Sequence, residues 1–248
     1  MRGCTRWTFV AGPLAGNKDN NVEGRSFGQA ASCYLIFSLH CSILWQTAFI
    51  AIAALFRQIP MSPRTARFHE DDYCQIELLP VQNWAHCAQE LGRISAFSDT
   101  HRAPNDAGWD EMYVRSHAPL SIAALGIDFA GVSNALALHL PQFETVETGY
   151  GSYSEKCPDT AAFGYADSSI IFVAHNDTGH VAAIWLSIGP IDAPEKETNF
   201  LASLHALDAL GPLLLVDWGW NALLRLHDID QIRDYLRNHN AAATNMHD

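Results

Sequence analysis

The chain has 248 residues, of which 48% are hydrophobic and 17% charged, and its formal net charge is −12. This length and composition are typical of one or two globular domains and exclude fibrous and broadly disordered proteins. The charge is uneven, because residues 1–60 hold five basic and two acidic side chains, which leaves a net charge of −15 on residues 61–248.

Residues 30–56 contain no Asp, Glu, Lys or Arg and are long enough to span a bilayer, which needs about 20 apolar residues. Three interpretations compete. A membrane anchor is disfavoured by the polar side chains within this stretch, and a signal peptide by the long, partly acidic region before it. We favour the third, that residues 1–60 are a disordered or dispensable leader and that a single domain spans residues 61–248. The charge reverses at this boundary, and residues 1–29 show neither caps nor periodicity.

The cysteines indicate a reducing compartment. Three of the six fall in the leader, and the other three, Cys74, Cys87 and Cys157, form no CxxC pair. No disulfide framework is therefore predicted, and we expect a cytoplasmic protein, with membrane anchoring through residues 30–56 as the alternative.

The first predicted elements are a strand and a helix. Residues 72–79 alternate in polarity, so that Cys74, Ile76 and Leu78 share one face of a strand. A helix is predicted to start near Asn83, because apolar residues then recur at steps of three and four. These residues are Trp84, Cys87, Leu91, Ile94 and Phe97.

Two helices and a hairpin are predicted in the middle of the chain. A weak strand at residues 112–115 precedes a second helix, which Asp128 caps and Pro141 ends. Residues 170–175 and 180–188 are apolar on both faces and flank the turn "NDTG", which predicts a hairpin of two central strands.

The last elements complete an α+β pattern. A capping box at Asp192 and Glu195 predicts a third helix that ends at Gly211. Two strands, at residues 213–218 and 222–226, then precede a fourth helix capped by Asp228. Neighbouring antiparallel pairs mixed with helices, without a repeated βαβ unit, predict a mostly antiparallel sheet with about four helices packed on it.

Sequence motifs for common chemistries are absent. The chain has no GxxxxGK[ST], GxGxxG after a strand, HExxH, GxSxG or EF-hand loop. The corresponding nucleotide-binding, zinc and serine hydrolase classes are disfavoured, and we predict no cofactor and no metal.

Three residues are candidates for catalysis. Cys157 follows Lys156 in a loop, and a basic neighbour can activate a thiol for nucleophilic attack. His175 and His180 follow soon afterwards and could serve as the base. Turn chemistry explains the sequence "HNDTGH" without a metal, so a Cys/His hydrolase is retained as an alternative function.

Aromatic residues in two turns are candidates for binding. Residues 148–160 combine Tyr150 and Tyr153 with Ser and Gly, a mixture that suits a contact surface, although tyrosines can also anchor a loop to the core. Trp220 lies in the predicted turn "DWGWN". Tryptophan is a frequent interface anchor.

The negative charge points to a basic partner. Nucleic-acid binding and peripheral membrane binding through the domain are unfavourable, because the domain repels phosphates. We therefore predict an acidic intracellular domain that sequesters a basic protein, as an inhibitor or an immunity protein does. The acidic residues expected around the aromatic anchors are Asp71, Asp72, Glu155 and Asp217. The alternatives are an enzyme of unrecognised type and a membrane-tethered domain.

Overall fold

The computed structural model describes residues 64–103, 108–150 and 152–245. The predictions about residues 1–60 lie outside this part of the chain. Among the described helices, none is both long and apolar enough to cross a membrane.

The described residues form nine strands and four α-helices. The strands are β1 (Thr65–His69), β2 (Ile76–Pro80), β3 (Thr145–Gly149), β4 (Glu155–Lys156), β5 (Thr160–Gly164), β6 (Ile170–His175), β7 (Val181–Ser187), β8 (Leu213–Asp217) and β9 (Ala222–Arg225). The helices are α1 (Trp84–His101), α2 (Phe129–Ala137), α3 (Pro194–Asp208) and α4 (Ile229–Asn245).

Six strands build the main sheet, in the order β5-β6-β7-β2-β8-β9, and every neighbouring pair is antiparallel. A second sheet has the order β1-β3-β4, in which β1 and β3 run parallel and β3 and β4 antiparallel. The prediction of an α+β fold with a mostly antiparallel sheet and four helices is confirmed. The predicted hairpin of β6 and β7 is also confirmed, and both strands lie inside the main sheet.

One face of the main sheet is covered by three helices. Alternate strand residues such as Ile171 and Leu186 share a hydrophobic cluster with Leu136 of α2, Leu204 of α3 and Leu236 of α4. All of these side chains are at most 2% exposed. This cluster is the larger part of the core.

The opposite face is covered in two halves. Phe172 and Trp185 pack against the small sheet, in a cluster that includes Val146 of β3. Further along the main sheet, Val216 of β8 packs against Leu91 and other residues of α1. The small sheet and α1 therefore lie side by side on this face.

Two predictions about strands are wrong. Strand β2 begins at Ile76 and not at residue 72, because Cys74 has a φ of 56°, which an extended strand does not allow. Residues 112–115 form no strand; the Tyr113 hydroxyl donates to Glu90, and the Arg115 guanidinium donates to Glu77. These two side chains tie the segment to the core without a strand partner.

The predicted capping box of α3 is also wrong. Ala193 occupies the N-cap position, and no side chain caps the helix. Pro194 at the first helical position has no backbone N–H to be capped. The Asp192 carboxylate instead lies 2.9 Å from the ammonium group of Lys196.

Candidate functional site

A groove of about 460 Å³ lies between the small sheet and the turn that follows β1. We call it the tyrosine groove, and its lining includes Arg67, His69, Asp72, Glu147, Tyr153 and Ser154. The parallel pairing of β1 with β3 creates it, because Arg67 lies opposite Glu147 in that register. The groove thus joins two segments that are 80 residues apart in sequence.

Tyr153 lines this groove, Tyr150 lies beside it against His69, and both tyrosines are exposed. Tyr150 is 69% exposed and packs edge-on against His69, with ring centroids 5.0 Å apart. Tyr153 is 57% exposed, and its hydroxyl donates a 2.7 Å hydrogen bond to Glu155. Neither ring is packed into the core, so both present aromatic surface to solvent.

The backbone of the turn sets the spacing of these two tyrosines. The Tyr153 N–H donates to the Tyr150 carbonyl at 3.0 Å. A Cβ atom at Gly149 would collide with the carbonyl oxygen of Tyr153. Only glycine therefore fits at the end of β3 with the turn in this conformation.

Carboxylates surround the tyrosines. Asp71 and Asp72 are exposed on the turn after β1, and Glu155 is exposed on β4. The hydrogen bond to Glu155, together with the charges of Glu155 and Glu70, raises the pKa of Tyr153 above its ordinary value. The phenol therefore stays neutral at physiological pH while its surroundings are negative.

Arg67 places a cation within this acidic setting. The Arg67 guanidinium is 3.1 Å from Glu147, and the Arg67 side chain is 75% exposed. Glu147 also accepts a 3.0 Å hydrogen bond from the Ser154 hydroxyl. These contacts connect β1, β3 and the turn between β3 and β4 around the groove.

Asp217 does not belong to this acidic surface, which corrects the prediction. Its side chain is 3% exposed and accepts hydrogen bonds from the Trp220 N–H at 2.9 Å and the Tyr235 hydroxyl at 2.6 Å. His239 lies 3.3 Å from the same carboxylate. The Asp217 carboxylate is hydrogen-bonded inside the protein, because α4 covers the end of β8.

Trp220 lies apart from the tyrosine groove. Its ring stacks on His239 at 4.0 Å, with an angle of 14° between the ring planes. It lines cavities formed by α1, α4 and the turn between β8 and β9, none of which includes Tyr150 or Tyr153. The predicted aromatic anchors therefore separate into two places.

The "HNDTGH" segment is a hydrogen-bonded turn. The Asn176 side-chain oxygen accepts from the backbone N–H groups of Thr178 and His180, both at 3.0 Å, and Gly179 has a φ of 78°. Within the described residues, no group of three or more His, Cys, Asp or Glu side chains is arranged to hold a metal ion. The turn's conformation accounts for its composition.

Cys157 and His175 line one groove of about 300 Å³, beside Phe129 and Lys156. Burial, together with the charge of Glu155, raises the pKa of the Cys157 thiol. A catalytic cysteine requires the opposite shift, because the thiolate is the nucleophile. His180 lies outside this groove, and its ring nitrogen is 3.0 Å from the Thr178 hydroxyl.

Sequence reasoning missed several residues of the tyrosine groove, among them Arg67, His69 and Glu147. The available signal was alternation, since Ala66 and Val146 are the buried positions of two short strands. No family model, curated protein or solved structure matches this chain. Its function is therefore inferred from the geometry of its own residues.

Proposed function

We propose that this protein binds and sequesters a basic protein partner through the tyrosine groove, in the manner of an inhibitor or an immunity protein, and that it does so in the cytoplasm. The observation that carries the proposal is that two exposed tyrosines and several exposed carboxylates lie in or beside one groove, whose lining includes Tyr153 and Asp72. Tyr150 and Tyr153 supply the aromatic surface, and Asp71, Asp72 and Glu155 supply the charge.

The tyrosines suit an anchoring role for an energetic reason. A tyrosine has only two side-chain torsions, so it gives a large contact area with little loss of conformational entropy. The ring of Tyr150 is supported by His69, and that of Tyr153 is held by Glu155. Binding would therefore immobilise groups that are already partly ordered.

The carboxylates suit recognition of lysine and arginine. Guanidinium groups form paired hydrogen bonds with carboxylates and also stack on aromatic rings. The net charge of −15 on residues 61–248 adds a long-range attraction that accelerates encounter with a basic protein. Salt weakens this attraction, which gives the proposal a measurable signature.

The proposal is tested with the full chain as bait and an arginine-rich peptide as the probe, followed by capture from lysate. We expect saturable peptide binding that weakens at least tenfold when salt rises from about 0.05 M to about 0.5 M. The double variant Tyr150→Ala/Tyr153→Ala should lose at least tenfold in affinity. Leu138→Ala, which changes an 80% exposed side chain just after the end of α2, should bind normally.

A charge-matched pair of variants separates local from global electrostatics. Asp71→Asn/Asp72→Asn removes one carboxylate that lines the groove, Asp72, and its exposed neighbour, whereas Asp177→Asn/Glu195→Gln removes two exposed carboxylates elsewhere. Only the first pair should weaken binding by more than about threefold, since charges beyond a Debye length are screened. The proposal is contradicted if both pairs of variants lose affinity equally, or if binding is unchanged by salt and by Tyr150→Ala/Tyr153→Ala.

A further inference from the structure

Another cavity, of about 450 Å³, lies between the end of α1 and the turn from β8 to β9. We call it the indole pocket, and its lining includes Ser98, Asp99, Arg102, Trp109, Trp220 and Asn221. It shares no lining residue with the tyrosine groove. Its volume is in the range of small-molecule sites, which are usually 300 to 1,000 Å³ (about one drug-sized ligand).

A buried carboxylate holds one wall of this pocket. Asp217, which is 2% exposed, accepts hydrogen bonds from the backbone N–H groups of Gly219 and Trp220, both at 2.9 Å. His239 then supports one face of the Trp220 ring. Trp220 is thus fixed both through its backbone and through its ring.

A second buried carboxylate holds Trp218 in the same wall. The indole N–H of Trp218 donates to Glu77 at 2.9 Å, and Glu77 is 4% exposed. The Arg115 guanidinium lies 4.5 Å from the centre of the Trp218 ring and donates to Glu77. Burying a charge costs several kcal/mol per ion before pairing. A turn between two strands can be built from uncharged residues, so forming the turn does not itself require these buried carboxylates.

An asparagine shapes the same turn. Asn221 has a φ of 55°, a left-handed conformation that asparagine adopts more readily than most residues with a Cβ atom. Its side-chain amide donates to the Ser95 hydroxyl of α1 at 3.0 Å, which ties the turn to the helix across the pocket.

The polar groups of the lining indicate the chemistry of a ligand. Asp99 can accept hydrogen bonds and Arg102 can donate them, while Ser98 and Asn221 can do both. One carboxylate and one guanidinium balance each other, so the lining selects for neither sign of charge. The indole rings of Trp109 and Trp220 add apolar surface to this mixed set of donors and acceptors.

From this geometry we propose that the indole pocket binds a neutral carbohydrate, one or two sugar rings in size. A sugar ring offers C–H faces that pack on indole rings, and its hydroxyls both donate and accept hydrogen bonds. This proposal does not depend on the tyrosine groove or on the function proposed for it. The pocket is a second binding site with its own ligand class.

The test is a titration of the full chain with glucose, galactose, N-acetylglucosamine and cellobiose, observed by saturation-transfer-difference NMR. We expect saturable transfer to the ring protons of at least one sugar, with a Kd of about 1 mM or lower, near −4 kcal/mol. Asp99→Asn and Trp109→Ala should each weaken that binding at least fivefold. Asp99 is exposed, so its amide variant keeps the proposal testable even if Trp109→Ala does not fold.

Two controls locate the binding. Trp84→Ala changes a tryptophan that is 37% exposed outside the pocket and should leave sugar binding unchanged. Tyr150→Ala/Tyr153→Ala should also leave it unchanged, which separates this site from the tyrosine groove. The proposal is overturned if none of the sugars binds saturably, or if one binds equally well to wild type, Asp99→Asn and Trp109→Ala.

Discussion

Among single residues, burial divides the carboxylates by role. Glu77, Glu90 and Asp217 are 4%, 1% and 2% exposed, and each accepts hydrogen bonds inside the protein. Burial alone would raise the pKa of Glu90, but hydrogen bonds from Ser116, Tyr113 and Arg93 outweigh it and hold the pKa below its ordinary value. Glu90 therefore stays charged at neutral pH as part of the structure.

The thiol of Cys157 is predicted to react slowly. Its raised pKa means that less thiolate is present at neutral pH than in a free cysteine, and the thiolate is the reactive form. We expect alkylation by iodoacetamide at pH 7 to be at least threefold slower in the folded chain than in the urea-unfolded chain. The alkylation rate of Cys157 should increase with pH, and its midpoint should lie at a higher pH than that of a free cysteine, because the pKa of the Cys157 thiol is raised. Peptide mapping by mass spectrometry distinguishes Cys157 from the other cysteines.

Glu155→Gln provides the diagnostic variant for this thiol. Removing that charge should lower the Cys157 pKa and accelerate alkylation, whereas Glu195→Gln, at an exposed site on α3, should not. A folded-state rate faster than that of the unfolded chain would contradict the prediction. It would also revive the alternative of a Cys157/His175 hydrolase.

The helices differ in how their first turns are stabilised. Asp128 accepts from the Gly131 N–H at 2.8 Å, and Asp228 accepts from the Gln231 N–H at 3.2 Å, whereas Asp192 caps nothing. Replacing Asp128 or Asp228 by alanine should lower the free energy of unfolding by about 1 kcal/mol each. Asp192→Ala should lower the free energy of unfolding less than either of these changes, because it removes only an exposed ion pair with Lys196.

Urea denaturation with a common m-value measures these three changes. Local sequence patterns predicted all three caps, and the structure contains the caps at Asp128 and Asp228 but not the one at Asp192. Equal losses in all three variants would mean that the hydrogen bonds to Asp128 and Asp228 do not set helix stability.

Elements with local signals could be predicted from the sequence, and elements that need distant partners could not. The hairpin of β6 and β7 carries its own turn, with Gly179 at positive φ. By contrast, β1 becomes a strand because it pairs with β3, with Thr65 opposite Thr145. Short strands of this kind have weak local preference and depend on packing against the rest of the sheet.

The candidate site follows the same division. Tyr150 and Tyr153 are recognisable from the composition of their own loop, whereas His69 and Glu147 reach the groove only through the pairing of β1 and β3. Asp217 looks like a surface residue in sequence. Its burial depends on Tyr235 and His239, which α4 brings over the end of β8 from about twenty residues further along the chain.

On the scale of the whole molecule, the excess of carboxylates makes the folded state repel itself. The net charge is −12 for the full chain, and many acidic side chains, including Asp71, Asp72, Glu155 and Asp177, are exposed. Compaction brings like charges together, so a high net charge lowers stability while it favours solubility. The same field would attract a basic partner, so the proposed function and a stability cost share one cause.

This cost predicts how stability changes with salt. Raising sodium chloride from about 0.01 M to about 0.15 M shortens the Debye length from about 30 Å to about 8 Å and screens the repulsion. We expect the free energy of unfolding at pH 7 to increase by on the order of 1 kcal/mol. The buried pair of Glu77 and Arg115 is shielded from solvent and should contribute little to the change.

Urea denaturation at each salt concentration measures the effect, and repeating it near the isoelectric point of about 5.3 provides the control. There the net charge is close to zero, so the salt dependence should largely disappear. A loss of stability with added salt at pH 7 would show that surface ion pairs, such as Lys196 with Asp167, outweigh the repulsion.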